Sequence, residues 1–279
     1  MDPGLCRDDG LVSLLQSVPT AGSEMRDPPR LAINGANGRM GHALQDLLHG
    51  DPRFQLVAAI GASSEWDDVP KLDVVVDFSS PAGFDGALAH CVAQRTALVS
   101  GTTGLGNSQR RALAEAARVV PVLHAANFSL GIAVLTRALR DAAAALPDWD
   151  LEILEAHHAR KVDAPSGTAL ALGRAAAKAR GQDFDEVAVL WREGQVGARP
   201  GGAIGFSAIR AGDIVGEHTA MLATYGERLE LSHRATDRTI FARGALIAAA
   251  WMVGKPAGTY SLDDVLMPGR SLPAGDRAL

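Results

Sequence analysis

From Arg30 onward, short apolar runs alternate with longer segments in which apolar residues recur every three or four positions. RLAING at 30–35 is a compact apolar run broken by glycine, which predicts a strand. GRMGHALQDLLHG follows with Met40, Ala43, Leu44, Leu47 and Leu48 at helical spacing and Gly50 at its end. FQLVAAIG and KLDVVVDFSS read as buried strands, GFDGALAHCVAQR as a helix, TALVSGTTG as a strand, SQRRALAEAARVV as a helix, and VPVLHAANFS as a fifth strand. Such alternation predicts a parallel sheet with helices on both faces and ligand sites at the carboxyl ends of its strands.

The pattern changes after Asn127. LGIAVLTRALRDAAAAL predicts a long helix, WDLEILEAHHARK a strand with its exit loop, and SGTALALGRAAAKAR another helix. DEVAVLWREGQVG, IGFSAIRAG, HTAMLATYG and ERLELSHRA then read as strands with little helix between them, the mark of a second, largely β layer. FARGALIAAAWMVG is helical again, and LDDVLMPG is expected to close the chain against one of the two layers. The expected division is a first unit over 30–127, rejoined by 239–279, and a second over 128–238. Residues 1–29, with Gly, Pro and Asp at irregular intervals, are expected to form a poorly ordered extension.

With 279 residues, 47% hydrophobic and 21% charged, the chain has enough apolar material for two cores. Its formal net charge of -5 argues against nucleic acid or an anionic membrane as the main partner. No apolar run reaches the ~18 to 20 residues needed to cross a bilayer, and MDPGLCRDDG lacks the basic start of a secretory signal, so a cytoplasmic protein is expected. Cys6 and Cys91 make neither a disulfide framework nor a metal knuckle, and Cys91, inside a helical pattern, reads as a small core residue.

Gly35, Gly38 and Gly41 fall directly after a predicted strand and at the opening of a helix, which is the context a dinucleotide site demands. Gly35 allows a tight turn, Gly38 lets the backbone approach a pyrophosphate, and Gly41 lets the helix lie close to the sheet. The helix start attracts phosphates, and Arg39 adds a charge-assisted contact. Three glycines alone equally describe a tight turn; four further strand and helix units tip the reading toward cofactor binding. The acid that normally holds the adenosine ribose is missing, since the second strand ends Ile60, Gly61, Ala62, Ser63, Ser64 and the first carboxylate is Glu65. Ser63 and Ser64 suit a ribose, a 2′-phosphate or a solvated turn, so NADH and NADPH both stay open.

The densest chemistry lies in EAHHARKVDAPSGTA at 155–169. His157 and His158 end a predicted strand, and histidine exchanges protons near neutrality. Arg160, Lys161 and a helix start at Ser166, Gly167 and Thr168 stand close behind, a combination suited to a carboxylate or phosphate. A plain helix cap is the lesser reading for Ser166. Zinc is the other use of Glu155, His157 and His158, but neighbouring histidines seldom share one metal and no HExxH spacing occurs. No metal is expected.

These residues resemble those of the dihydrodipicolinate reductases, also called 4-hydroxy-tetrahydrodipicolinate reductases, of bacterial lysine biosynthesis. The likeness runs from Leu31 to Leu266, and 155–169 matches the family signature E-A-H-H-x-x-K-x-D-A-P-S-G-T-A throughout. GANGRMG at 35–41, SGTTG at 100–104, AANFS at 125–129 and IRAGDIVGEHTAM at 209–221 agree as well. The resemblance implies a Rossmann-like doubly wound parallel sheet with a second α+β domain, carrying a largely β open sheet, for substrate binding and oligomerisation. It further implies reduction of a cyclic unsaturated imine dicarboxylate with NADH or NADPH, and a homotetramer. His157 would be the proton donor or acceptor and Lys161 the second proton donor, with His158, Gly167 and Thr168 the substrate contacts. Gly35, Ala36, Asn37, Gly38, Arg39 and Met40 would bind the cofactor, with Gly101, Thr102, Thr103, Ala125, Ala126, Asn127 and Phe128 at its nicotinamide end. Arg238 is a further anchor or a surface ion pair. The chain departs from the family at residues 61–72, which are short and lack the usual acidic and basic pair, and over its first 29 residues.

Two other readings compete. A catalytically idle nicotinamide-binding sensor has no need of proton donors such as His157 and Lys161. A semialdehyde dehydrogenase needs a thiolate at the nicotinamide, and neither cysteine is placed to supply one.

Overall fold

The computed structural model describes residues 27–267. The extension expected at 1–29 lies outside the described residues up to residue 26. In chain order the first part runs β1 (Arg30–Asn34), α1 (Arg39–Leu48), β2 (Gln55–Ile60), β3 (Val74–Asp77), α2 (Pro81–Gln94), β4 (Ala97–Ser100), α3 (Asn107–Ala116) and β5 (Pro121–His124). The second part runs α4 (Leu130–Ala145), β6 (Asp150–His157), α5 (Gly167–Ala179), α6 (Phe184–Val187), β7 (Ala188–Val189), β8 (Ile204–Arg210), β9 (Gly216–Thr224) and β10 (Glu227–Ala235). The chain then returns through α7 (Thr239–Met252), β11 (Gly258–Tyr260) and α8 (Leu262–Leu266).

The first sheet has the order β11-β5-β4-β3-β1-β2, and every pairing in it is parallel. Alternate residues of its strands feed two cores. Leu31, Ile33, Val74 and Val76 pack with Leu44 of α1 and Leu246 and Met252 of α7, while Ala32, Val75 and Leu98 pack with Phe84 and Leu88 of α2 and Leu113 of α3. Strand order reverses between β1 and β3, so the loops leaving these two strands part and open a crevice at their carboxyl ends.

The second sheet has the order β10-β9-β6-β8-β7. β6, β8 and β7 are parallel, and β9 runs antiparallel to both β6 and β10. α4 and α5 bury one face around Leu139, Leu151, Ile153, Leu172, Phe206 and Leu222. On the strands themselves Leu154 of β6 and Ile209 of β8 are exposed, 37% and 56%. α8 packs against both α4 and α7, and Asp263 pairs with Arg140 of α4, so the chain closes on both layers.

One expected strand is wrong. DEVAVLWREGQVG forms a helical turn and a two-residue strand, and residues 190–203 form no strand at all. Asp183 caps the turn by accepting the Asp185 N–H, and Phe184 packs edge-on against Phe206 in the core. Beyond it, Gly194, Gly197 and Gly202 take φ of 65°, 74° and 75°, and Arg192 and Arg199 both fold back onto Glu152 of β6. The short β11 was not expected from the sequence; GTY carries too few apolar positions to mark it.

Candidate active site

The loop between β1 and α1 is built for close approach. Gly35 has φ +84°, and a Cβ on it would strike the Phe78 carbonyl at the end of β3. A Cβ on Gly41 would strike the Gly35 and Ala36 backbone, so α1 reaches the sheet only with glycine there. At Gly38 a Cβ would meet nothing nearer than the Gly35 oxygen at 3.3 Å, and the residue is exposed. Gly35 and Gly41 thus serve the fold, and Gly38 leaves room for a ligand. No side chain caps α1 and its first turn holds no acid, so its positive end is not neutralised from within. Asn37 and Arg39 are exposed around it, and Met40 and Ala36 lean into the core. The residues fit a dinucleotide pyrophosphate.

A buried carboxylate organises this crevice. Asp77, 0% exposed, ends β3 in register with Asn34 of β1 and Ser100 of β4. One oxygen accepts from Asn34 Nδ2 at 2.8 Å, from the Ser79 N–H at 3.2 Å and from Ser79 Oγ at 2.5 Å. The other accepts from Ser100 Oγ at 2.6 Å and Thr102 Oγ1 at 2.8 Å. Three loops are thereby tied to one side chain. The Thr102 hydroxyl is consumed inside the protein, while Thr103 is exposed and Gly101 half-buried beside it. Gly101 has no space for a Cβ beside the Phe78 ring. Phe128 is likewise a core residue, edge-on to Phe78 at 5.5 Å, while Ala125, Ala126 and Asn127 line the exit of β5.

At the adenosine end, Gly61 stands where an acid was sought. A Cβ there would come within 2.6 Å of Asn37 Nδ2, so the Asn37 side chain occupies the space. Ser64 closes the turn on itself, its hydroxyl accepting the Gly61 N–H at 3.1 Å, and Ser63 is exposed.

The second half of the site sits at the end of β6. Glu155 is buried, with its carboxylate gripped by Arg210 at 2.6 and 2.7 Å and accepting the Ser166 N–H at 3.0 Å. His157 Nδ1 lies 2.6 Å from the same carboxylate. Burial works to raise the Glu155 pKa, but the Arg210 and His157 hydrogen bonds with the Ser166 N–H overcome it and hold the group below its usual range. An ionised carboxylate only accepts, so Nδ1 carries the proton of this bond and Nε2 is left for the cleft. A Cβ on Gly216 would come within 3.1 Å of Nε2; glycine keeps that nitrogen clear. With both Glu155 oxygens engaged, the group is not free to bind a metal.

The chain turns at once after His157, as shown by the Lys161 N–H to His158 oxygen bond of 3.1 Å and the Ala159 N–H to Gly212 oxygen bond of 3.1 Å. This turn is what brings both histidines to one place, since neighbours on a strand point apart. Desolvation first, then the positive fields of Arg238, Arg160, His157 and Lys161, depress the His158 pKa. Lys161 pairs with Asp163 at 2.8 Å and remains partly buried. Ser166 caps α5 by accepting the Ala169 N–H at 3.2 Å, so the capping role is real. Gly167 is exposed with open space around it, and the Thr168 hydroxyl lies 3.1 Å from Asn127 Nδ2.

Sequence reasoning missed Arg210, His218 and Asp77 as parts of this site. His218, paired in register with Glu155 across β9 and β6, lies 5.2 Å from His157 ring to ring and 3.2 Å from Ser166 Oγ. Burial, with the fields of His157, His233 and Lys161 adding to it and that of Glu155 opposing, lowers its pKa to about 4. The signal for Arg210 and His218 lay in their strand positions beside β6. For Asp77 it was a polar residue ending an apolar run beside two other strands that also end in polar residues.

A doubly wound sheet with a glycine-built loop open to a phosphate, joined to a layer that sets His157, His158 and Lys161 beside an open helix start, defines an NAD(P)H-dependent oxidoreductase of two layers. The chain belongs to the dihydrodipicolinate reductase family: the pattern for the family's N-terminus matches residues 29–128 and that for its C-terminus residues 131–266. It is 46% identical over 253 residues to 4-hydroxy-tetrahydrodipicolinate reductase of Xanthomonas euvesicatoria pv. vesicatoria (strain 85-10), covering 85% of this chain and 98% of that protein. The same enzyme of Halorhodospira halophila (strain DSM 244 / SL1) is 44% identical over 261 residues, again covering 85% and 98%. Dipicolinate-bound dihydrodipicolinate reductase from Paenisporosarcina sp. TG-14 shares the fold with a TM-score of 0.69 at 24% identity, over 84% of this chain and 97% of that one. GenD2 from gentamicin A biosynthesis, solved with NAD, shares it more distantly, with a TM-score of 0.52 at 17% identity over 90% and 93%.

Proposed function

We infer that the protein reduces 4-hydroxy-tetrahydrodipicolinate to tetrahydrodipicolinate with NADH or NADPH, in the diaminopimelate route of lysine biosynthesis. The observation that carries this reading is the Glu155-anchored His157 beside Lys161 and an open helix start at Gly167 and Thr168. Overall one hydride and one proton are taken up and the 4-hydroxyl leaves as water. The bound cofactor supplies the hydride. His157 and Lys161 then deliver the proton that the reduced ring requires, a contribution of ~10²- to 10⁴-fold in rate for a well-placed acid. Glu155 keeps the His157 ring oriented with Nε2 toward the ring, and stabilises the imidazolium before the proton leaves it.

The two substrate carboxylates are held apart. One sits at Gly167 and Thr168 on the positive end of α5; the other faces His158, Lys161 and Arg238. The same positive fields that depress the His158 pKa favour a dianion in that pocket. Gly35 to Met40, with Gly101, Thr103, Ala125, Ala126 and the backbone of Asn127, hold the cofactor, so residues 30–127 with 239–267 serve the cofactor and 128–238 the substrate. Nothing at Gly61 to Ser64 repels a 2′-phosphate, and titration with each cofactor decides the preference.

No helix among the described residues is long and apolar enough to cross a membrane. We assign the protein to the cytoplasm, as a homotetramer associating through the sheet face that exposes Leu154 and Ile209. Light scattering after gel filtration measures that assembly. The functional reading is tested by loss of reduced-nicotinamide absorbance with the cyclic imine as substrate; an absence of turnover with both NADH and NADPH refutes it.

A further inference from the structure

Asn127 lies where the chain leaves the first sheet for the second, and its side chain bonds in both directions. Its Oδ1 accepts the Ser129 N–H at 2.8 Å and its Nδ2 reaches Thr168 Oγ1 at 3.1 Å. A backbone N–H only donates, so the Ser129 bond fixes which end of the amide is oxygen. Nδ2 therefore faces Thr168 as a donor, and the Thr168 oxygen accepts. The consequence is directional: the Thr168 hydroxyl hydrogen turns away from Asn127 and is free for another acceptor.

The surrounding contacts hold this arrangement in place. Ser129 is 2% exposed, and its hydroxyl accepts the Ile132 N–H at 3.2 Å and lies 3.2 Å from His233 Nε2 of β10. At the other end, the Ser166 N–H is fixed on Glu155, so the start of α5 has little freedom to follow a displaced Asn127. Ala125 and Ala126, immediately before Asn127, form the exit of β5 beside Ser100, whose carbonyl accepts the Ala125 N–H at 3.0 Å.

We propose that Asn127 is a positioning residue for the substrate: it orients the Thr168 hydroxyl as a donor to a substrate carboxylate. In doing so it registers that carboxylate against the strand end that holds the nicotinamide. Its side chain thus serves the substrate, although its place in the chain is among the cofactor residues. The inference rests on the assignment of Gly167 and Thr168 as a carboxylate anchor.

The test uses pyridine-2,6-dicarboxylate as probe, titrated calorimetrically into the protein loaded with NADH or NADPH. Asn127→Ala and Thr168→Val are each expected to weaken probe binding about 10-fold, the effect of losing one hydrogen bond to a charged group. Because Asn127 acts through the hydroxyl, the double variant loses no more than Thr168→Val alone. Cofactor affinity, read from quenching of protein fluorescence, stays within about twofold, which separates this role from a direct cofactor contact or a general loosening. If Asn127→Ala fails to fold, Asn127→Asp keeps the acceptor for the Ser129 N–H and draws the Thr168 hydrogen inward; it too loses the probe and keeps the cofactor. Unchanged probe binding in the Asn127 variant, or losses that multiply to about 100-fold in the double variant, overturns the inference while leaving the functional reading intact. A wild-type protein that binds no dicarboxylate overturns both.

Discussion

Two carboxylates are buried in this site, one at the end of a strand in each sheet, and their hydrogen-bonding capacity is satisfied by different means. Asp77 is surrounded by an amide, a backbone N–H and three hydroxyls, all neutral donors drawn from three loops. Glu155 is held by a guanidinium, a backbone N–H and an imidazole. Neutral donors fix geometry without adding a group that titrates near neutrality, which suits a cradle that must hold one shape. A guanidinium and an imidazole on one carboxylate place charged and proton-exchanging group types at its edge, which suits the proton delivery proposed for that side of the cleft. The strand ends around Asp77 are therefore tied by neutral hydrogen bonds, and the end of β6 around Glu155 by hydrogen bonds that also carry charge.

The sharpest way to break this contrast is to remove Glu155. Glu155→Ala leaves the Arg210 guanidinium uncompensated, and chemical denaturation should show a loss of about 3 to 5 kcal/mol. Glu155→Gln keeps the shape but frees the His157 ring, and kcat should fall about 10- to 100-fold, less than removal of the proton donor itself. A Gln variant with wild-type kcat would show that the pair is only structural.

His218 extends the charged side of the comparison. Its folded pKa of about 4 lies below the ordinary 6.5, so the unfolded chain takes up a proton first on acidification. The stability due to its neutral burial is present above pH ~6.5 and is lost as pH falls through ~4, a change of roughly 3 kcal/mol. Denaturation curves across that window should be flatter for His218→Gln than for wild type; equal slopes would remove His218 from the account. Asp77→Asn is expected to cost less, about 1 to 3 kcal/mol, because it turns one acceptor into a donor facing hydroxyls that can partly rotate. Its distinctive effect is a cofactor affinity lowered about 10-fold with substrate affinity nearly kept, measured by binding titrations. Equal loss of both would mean that Asp77 supports the whole fold rather than the cradle.

The same contrast explains what was legible in the chain. β1 to β5 and the helices between them were readable because Leu31, Val75 and Leu98 sit in compact buried runs, and Leu44 lies on one face of an evenly spaced helix. EAHHARKVDAPSGTA was readable because its donors and its helix start are consecutive in sequence. Arg210 and His218 were not, since they reach Glu155 from β8 and β9, through pairings that only the folded sheet creates. Asp77 was passed over because a carboxylate closing an apolar run reads as a turn residue until Asn34 and Ser100 fall beside it. The strand expected over 185–197 had the right apolar residues, but beyond Val189 Glu152 draws Arg192 and Arg199 into a loop, a preference invisible without β6. The adenosine end stayed open because Ser63 and Ser64 are exposed and Ser64 bonds within its own turn.

We propose that proton delivery is concentrated on the segment that Glu155 anchors, apart from the cofactor cradle. The most direct measurement is the steady-state reduction of the cyclic imine by wild type, His157→Gln and Lys161→Ala, with cofactor Kd measured alongside. The expected result is a kcat lowered by ~10²- to 10⁴-fold in His157→Gln, a comparable loss in Lys161→Ala, and cofactor Kd unchanged within about twofold. Normal turnover in both variants, or a loss traced wholly to weaker cofactor binding, would contradict it.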